Sequence, residues 1–451
     1  MTNKIDEIAP QTYLIRGARV ADPSTDLWAH RDVLVADGRV AQVAPEISVS
    51  VARSAGKGTV RVVEAEGLWL WPGLVDLHVH FREPGYTHKE TMASGCRAAL
   101  RGGYTAVVCE PNTDPPIATP ELVAELAGRA AEQSPVRVFF KATMTKGRRG
   151  QAPADMEALA RQERVVALSD DGDPIVRREV VEEVCKRAAR VGLPLSPHCE
   201  DSARSLAAYS AGTRPGFEPR PAHQNEALYI GRDAGLAVRW GSAVHFSHVS
   251  LEESLCVLRH IREEAPSAPV TLECAPHHLL LSAQDFDPDA IPKVNPPLRT
   301  PSDRQALQDA LVAGEIDAIA SDHAPHTAEE KEAGASGFIG LETTLALILT
   351  EFVHPGRLAP LDATAFMSTR PAAILGLAAG GVCAGGRADL TLIDPDVEWT
   401  VRAEEFASLS RNTPFEGRRL RGRAVGTMID GRLEFARQSL RARIEETQER
   451  R

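Results

Sequence analysis

Leu68-Trp69-Leu70-Trp71-Pro72-Gly73-Leu74-Val75-Asp76-Leu77-His78-Val79-His80-Phe81-Arg82-Glu83-Pro84 opens as an apolar run and ends in a cluster of polar side chains. Leu68 to His80 reads as one strand. Side chains two apart on a strand point the same way, so Asp76, His78, His80 and Arg82 share a face. Two imidazoles at i and i+2 can reach one metal at about 2.0–2.1 Å. An isolated His-x-His is equally well a pair of packing histidines, so its meaning depends on the rest of the chain.

Outward from this stretch, strands alternate with helices between about 71 and 380. Thr105–Val108, Val136–Phe140 and Val165–Leu168 are short apolar strands, and Glu121–Gln133 and Val180–Arg190 carry apolar residues at helical spacing. Such alternation over about 300 residues suits a (β/α)8 barrel of the TIM type. A doubly wound sheet would want a Gly-rich phosphate loop after its first strand, and Gly102-Gly103 is too little for one.

Both ends of the chain have a different texture. Thr12–Gly17, Asp32–Ala36, the turn Asp37-Gly38, Arg39–Val43 and Val60–Glu64 read as strands and a hairpin. Ala388–Asp394 and Gly426–Leu433 read likewise, after the breaks Gly380-Gly381 and Gly385-Gly386. The expected division is therefore 1–70 and 381–451 for a small β-sandwich domain built from both termini, and 71–380 for the barrel. Ala436 to Arg451, a mixture of acids and bases, reads as a solvated terminal helix.

Five elements place polar residues where barrel strands end, which is the catalytic face of such a fold. The first is His78 and His80. The second is Ser169-Asp170-Asp171-Gly172, where a carboxylate could bridge two cations, although two acids before a Gly also make an ordinary turn. His198 in Leu195–Glu200 and the pair His245/His248 in Val244–His248 follow. Residues three apart on a strand face opposite ways, so one of that pair is expected to be a ligand. The fifth, Ile316–His326, runs into Asp322, which could bind a metal and take a proton from water held there. Nitrogen and oxygen donors without Cys favour Zn2+, with Mn2+, Co2+ and Fe2+ the other fits. Cys199 should point away from His198 and pack.

Bulk properties narrow the setting. The 451 residues carry a formal charge of −11, which disfavours nucleic acid and anionic membranes as partners. Seven scattered cysteines without a C-x-x-C pair argue for a reducing compartment. Met1 to Pro10 has no apolar core, and no run approaches the roughly 18 apolar residues of a membrane span. A cytoplasmic enzyme with a small-molecule substrate is expected.

With these residues in place the chain resembles the dihydroorotases of the amidohydrolase superfamily, nearest the class I branch. The resemblance is carried by Asp76–Gly85, Glu110-Pro111-Asn112-Thr113, Ser169–Gly172, His198–Asp201, Lys293–Arg299, Ser321–His326 and Asn412–Gly417. It implies reversible hydrolysis of L-dihydroorotate to N-carbamoyl-L-aspartate, a step of pyrimidine synthesis, with two Zn2+ per chain. It implies that His78 and His80 hold the first zinc, His198 and His248 the second, Asp171 both, and that Asp322 is a ligand and the catalytic acid/base. Substrate would be held by His80, Arg82, Asn112, Asn295 and His326, with backbone near Ser336 and Gly337. Arg82 offers a two-pronged donor for the substrate carboxylate.

Two departures stand out. Glu110 occupies a position where the family usually has Met, and is expected either to perturb its loop or to face solvent. The segment between His326 and Gly340 is short, with Ala335-Ser336-Gly337-Phe338 where Pro-Phe-Gly is common. Related hydantoinases, dihydropyrimidinases and allantoinases would need a carboxylated lysine near the third or fourth strand. Lys141, the nearby candidate, reads as structural or surface. A catalytically silent relative that supports aspartate carbamoyltransferase would lack metal histidines, and none is missing here. A homo-oligomer, in the simplest case a dimer, and association with aspartate carbamoyltransferase are the partner expectations. His277-His278 reads as one packing residue and one supporting residue; His88, His223, His260 and His354 read as solvent-facing.

Overall fold

The computed structural model describes residues 11–56, 59–200, 225–287, 290–378 and 380–447. Met1 to Pro10, the motif residue Asp201 and His223 lie outside these residues. From the N-terminal end come β1 (Thr12–Asp22), β2 (Leu27–Ala36), β3 (Arg39–Ala44), β4 (Val60–Glu64) and β5 (Trp69–Pro72). Gly73 then breaks the run that the sequence suggested as one strand. Pro72 supplies no amide, and a Cβ on Gly73 would lie 2.2 Å from Thr105 Oγ1. The chain passes from one sheet to another at that point, and β6 (Leu74–Val79) begins the barrel.

β6, β7 (Tyr104–Cys109), β8 (Arg137–Thr143) and β9 (Val165–Ser169) form a parallel sheet of four. β10 (Val244–Phe246), β11 (Val270–Cys274) and β12 (Ala318–Ile319) form a parallel sheet of three. Leu195 bridges Leu168 on one side and Val244 on the other, and Val79 bridges His323. Leu195 thus fills the fifth of eight strand positions, between β9 and β10, and the cylinder closes on β6. Helices cover it outside. Pro120–Gln133 is typical: Thr119 caps it by accepting from Leu122 N, Pro120 opens it, and Val123, Leu126 and Ala130 bury one stripe. Each such Val or Leu contributes about 1.5–3 kcal/mol. Inside the cylinder, Val75, Leu77, Ala106, Val108, Ala167 and Ala318 pack against Ala372 and Leu375 as an apolar floor. Chemistry is left to the opposite end.

The last strands are β13 (Leu390–Thr400), β14 (Arg419–Ile429), β15 (Arg432–Ala436) and β16 (Ile444–Thr447). With β1–β5 they form a nine-stranded sheet ordered β15-β14-β13-β5-β1-β2-β3, with β4 pairing β1 and β16. Both chain ends therefore share one sheet. The expected terminal helix is absent among the described residues. Gln438–Arg441 is a single turn, and β16 runs antiparallel to β4, where Ile444 packs on the core and Glu446 pairs with Arg61 at 2.8 Å. His88 and His260 are exposed as expected. His354 is not; it is half-buried, its ring 6.5 Å from that of Trp69.

Candidate metal centre

His78 lies in β6 and His80 just beyond it, and alternation turns both rings into the cylinder's mouth. His78 Nε2 is 3.5 Å from Asp171 Oδ1 and 3.7 Å from Asp322 Oδ1. His80 Nε2 is 3.7 Å from Asp171 Oδ2 and 3.4 Å from Asp322 Oδ1. Asp171 follows β9, across the barrel from β6, and Asp322 follows β12, whose end lies beside β6, so the two carboxylates reach the histidines from different sides. Asp171 also meets His198 Nδ1 at 3.4 Å and His248 Nε2 at 3.5 Å. The structure thus brings together His78, His80, Asp171, His198, His248 and Asp322, all buried.

Backbone conformation helps to aim these groups. Arg82, His248 and Asp322 adopt positive φ of 59°, 36° and 47°. Each left-handed non-glycine residue costs about 1–3 kcal/mol, and such residues gather where surrounding structure demands a direction. At His248 this resolves the ambiguity of the pair. His245 stays in β10 and bonds Thr271 Oγ1 and Glu273 Oε2, while His248 turns toward Asp171.

The donor set fits a divalent cation. His78, His80 and Asp322 offer atoms within 4.8 Å of one another, and so do His78, Asp171 and His248. His78 Nε2, Asp171 Oδ1, His248 Nδ1 and His277 Nε2 are buried without hydrogen-bond partners among the described residues. Leaving such atoms unpaired is costly. Burial alone would lower the His78 imidazole, yet the charges of Glu110 and Asp171 and the hydrogen bond to Glu273 raise it, a local excess of negative charge that a cation would neutralise. Burial would raise Asp322, but the hydrogen bond from His80 and the charges of His78 and His277 hold its carboxyl below the usual range. His198 is placed differently, with Nδ1 3.1 Å from His248 Nε2 and Nε2 2.9 Å from Asn295 Nδ2.

The expected substrate residues divide into two groups. Arg82 and His326 face one another at the mouth: Arg82 Nη2 is 3.2 Å from His326 Nε2, and Arg82 Nε donates to Pro325 O at 3.2 Å. Burial and the charges of Arg82, Lys89 and Lys331 push His326 down to about 3, so its neutral Nε2 accepts from Arg82. Asn112 instead serves the cluster, its Oδ1 2.9 Å from His80 Nδ1 and its Nδ2 donating to Asp171 Oδ2 at 2.9 Å. Ser336 is exposed. Gly337 donates to Lys293 O at 3.0 Å, and its carbonyl accepts from Asn412 Nδ2 and Lys331 Nζ.

Beneath the cluster lies a buried polar layer that the sequence did not reveal. Glu273 Oε1 is 3.0 Å from His78 Nδ1. Glu110 does not face solvent, and Lys141 is no surface residue: they are 1% and 0% exposed and form an ion pair. A charged residue within or directly after a short apolar run needs a partner if the run is buried, and that was the available signal. His277 Nε2 lies 3.6 Å from Asp322 Oδ2, and His278 Nε2 bonds Pro296 O at 3.0 Å. Cys199 packs in the core. Asp76 accepts from the amides of His78 and Ser321, tying β6 to the segment after β12, and burial pushes its carboxyl up to about 7.

Residues 69–433 match the amidohydrolase family. A dihydroorotase of Pelotomaculum thermopropionicum is 38% identical over 429 residues, covering 93% of this chain and 97% of that protein. A dihydroorotase of Aquifex aeolicus is 35% identical over 429 residues, covering 94% and 99%. Among solved structures, the L-hydantoinase (dihydropyrimidinase) of Arthrobacter aurescens superposes with a TM-score of 0.82 at 25% identity, covering 94% of this chain and 96% of its own. The dihydropyrimidinase of Brevibacillus agri shares the fold at a TM-score of 0.81 and 23% identity, covering 94% and 95%.

Proposed function

The chain belongs to the amidohydrolase family and, within it, to the dihydroorotases, and from that premise we propose that it interconverts L-dihydroorotate and N-carbamoyl-L-aspartate in pyrimidine synthesis. The observation that carries the reading is a buried Arg82 beside His326, at the mouth of a His/Asp cluster. A guanidinium there suits a ring that bears a carboxylate.

Two zinc ions are proposed: His78, His80 and Asp322 would hold the first, His198 and His248 the second, and Asp171 would serve both. Bound divalent cations supply Lewis acidity and ease the deprotonation of water. The remaining work belongs to the protein's side chains. Asp322 takes a proton from the attacking water as the new C–O bond forms, and returns it to the ring nitrogen as the amide C–N bond breaks. Its depressed carboxyl is ionised, and so ready to accept, throughout the neutral range. Asn112 fixes His80 and Asp171 against each other. Arg82, His326 and Asn295 hold the substrate, with backbone near Ser336 and Gly337.

Replacing Asp322 with Asn tests the assignment. Folding and thermal midpoint are retained while kcat falls by about 10²–10⁴-fold; near-normal turnover would remove Asp322 from the role. The likeness to hydantoinases favours a neutral ring as the second reading. Comparing dihydroorotate with hydantoin, dihydrouracil and allantoin decides between them, since dominant activity on an uncharged ring would contradict the proposal. A cytoplasmic location is proposed on the scattered cysteines of the sequence, and no helix among the described residues is long and apolar enough to cross a membrane. Self-association and association with aspartate carbamoyltransferase are proposed as well, to be read from sedimentation of the chain alone and of the mixture.

A further inference from the structure

Two carboxylates and one ammonium meet under a single imidazole. His78 Nδ1 lies 3.0 Å from Glu273 Oε1 and 3.5 Å from Glu110 Oε1. Glu273 Oε2 in turn holds His245 Nε2 at 3.0 Å, and His245 Nδ1 meets Thr271 Oγ1 at 2.9 Å. Glu110 is paired with Lys141, whose Nζ also donates to Ser196 Oγ at 2.8 Å; Ser196 Oγ lies 2.9 Å from Ser247 Oγ. Every charged member of the layer is at most 1% exposed. Glu110 Oε2 has no hydrogen-bond partner among the described residues.

Stability gives a poor reason for such a pair. Burying two charges sacrifices their hydration, and apolar replacements of buried pairs are often neutral or stabilising. Geometry gives a better one. A metal-binding imidazole works when its other nitrogen is held by a fixed acceptor, and here two acceptors compete for one N–H.

We propose that Lys141 and Glu110 are a positioning pair for His78: the Lys141 ammonium engages Glu110, so that Glu273 alone directs the imidazole and Nε2 is presented to the metal. The pair is polar in direction, with its carboxylate toward His78 and its ammonium beyond. Lys141→Met leaves two uncompensated carboxylates at Nδ1. Glu110→Gln leaves an uncompensated ammonium that draws Glu273 away from His78. Removing both charges restores a single carboxylate at the ring.

The inference rests on the reading of His78 as a metal ligand, and the test separates the two. Zinc affinity of the full-length chain is measured by chelator competition, with the thermal midpoint as a check on folding. Each single variant weakens zinc about 10–100-fold, and Glu110→Gln/Lys141→Met recovers to within about threefold of the parent. Unchanged zinc affinity in the folded single variants overturns the proposal, as does a double variant whose loss equals the product of the singles. Where a single variant does not fold, the swapped pair Glu110→Lys/Lys141→Glu decides. It keeps a buried ion pair but turns an ammonium toward His78, so zinc weakens at least tenfold; parental affinity would show a purely structural pair. His78→Ala is the control. If it keeps all its zinc, the ligand reading fails; if it loses zinc while the pair variants do not, the pair alone fails.

Discussion

Arg82→Met removes the cation that separates an acidic ring from a neutral one. Arg82 is 9% exposed, and burial pushes its guanidinium down from 12.5 only to about 10, so it is charged at neutral pH. Its Nε and Nη2 engage Pro325 O and His326 Nε2, both at 3.2 Å, which fixes the plane of the fork. A charge-assisted hydrogen bond contributes about 1.5–3 kcal/mol. Taking about 2 kcal/mol for the substrate carboxylate, and tenfold per 1.4 kcal/mol, KM rises about 30-fold. Met has nearly the same reach, and the positive φ of 59° strains any residue other than glycine, so the substitution leaves that strain unchanged. The assay is steady-state hydrolysis of L-dihydroorotate and of dihydrouracil. For dihydroorotate KM rises about 30-fold with kcat within about threefold, while the dihydrouracil rate does not change. A KM shift below about threefold, or equal losses on both rings, would refute the assignment of Arg82 to the carboxylate.

Other expectations follow from groups around the mouth. His326 has a folded-state value near 3 against 6.5 for the ordinary imidazole. Its neutral form is therefore favoured by folding: the contribution is complete above pH 6.5 and is lost as pH falls toward 3. That loss is about 1.4 kcal/mol per unit, or about 2 kcal/mol by pH 5. Urea unfolding of the parent and His326→Asn at pH 8 and pH 5 should show the parent losing that much more; parallel losses would contradict it. Gly337 has φ of 140°, and a Cβ there would lie 2.8 Å from Ala324 Cβ and 2.9 Å from Ala324 O. Gly337→Ala should destabilise by about 1–3 kcal/mol and raise KM, measured by denaturant unfolding and kinetics; a variant with parental values would show that the loop tolerates the side chain.

The cluster was legible because strands alternate and barrels place chemistry where strands end. His78, His80, Asp171, His198, His248 and Asp322 each stood beside an apolar run, and the fold gathers them. Pairings across strands were not legible. Glu110 directly follows β7 and Lys141 sits in β8, 31 residues apart, and no periodicity shows that neighbouring strands bring them together. The strand-period rule could not choose between His245 and His248, since the decision lies in the left-handed backbone of His248. Charge mixture made Ala436 to Arg451 look helical, whereas Ile444–Thr447 pairs with Val60–Glu64 from the opposite end of the chain. Gly73 hid a change of sheet inside one apolar run, since only its closeness to Thr105 shows why the strand must break.

Metal content and ring opening measured on the same sample test the central claim most directly. The expected result is about two zinc ions per chain and hydrolysis of L-dihydroorotate that is lost on chelation and regained with zinc. A folded chain that binds no zinc, or that opens hydantoin while leaving dihydroorotate intact, would contradict it.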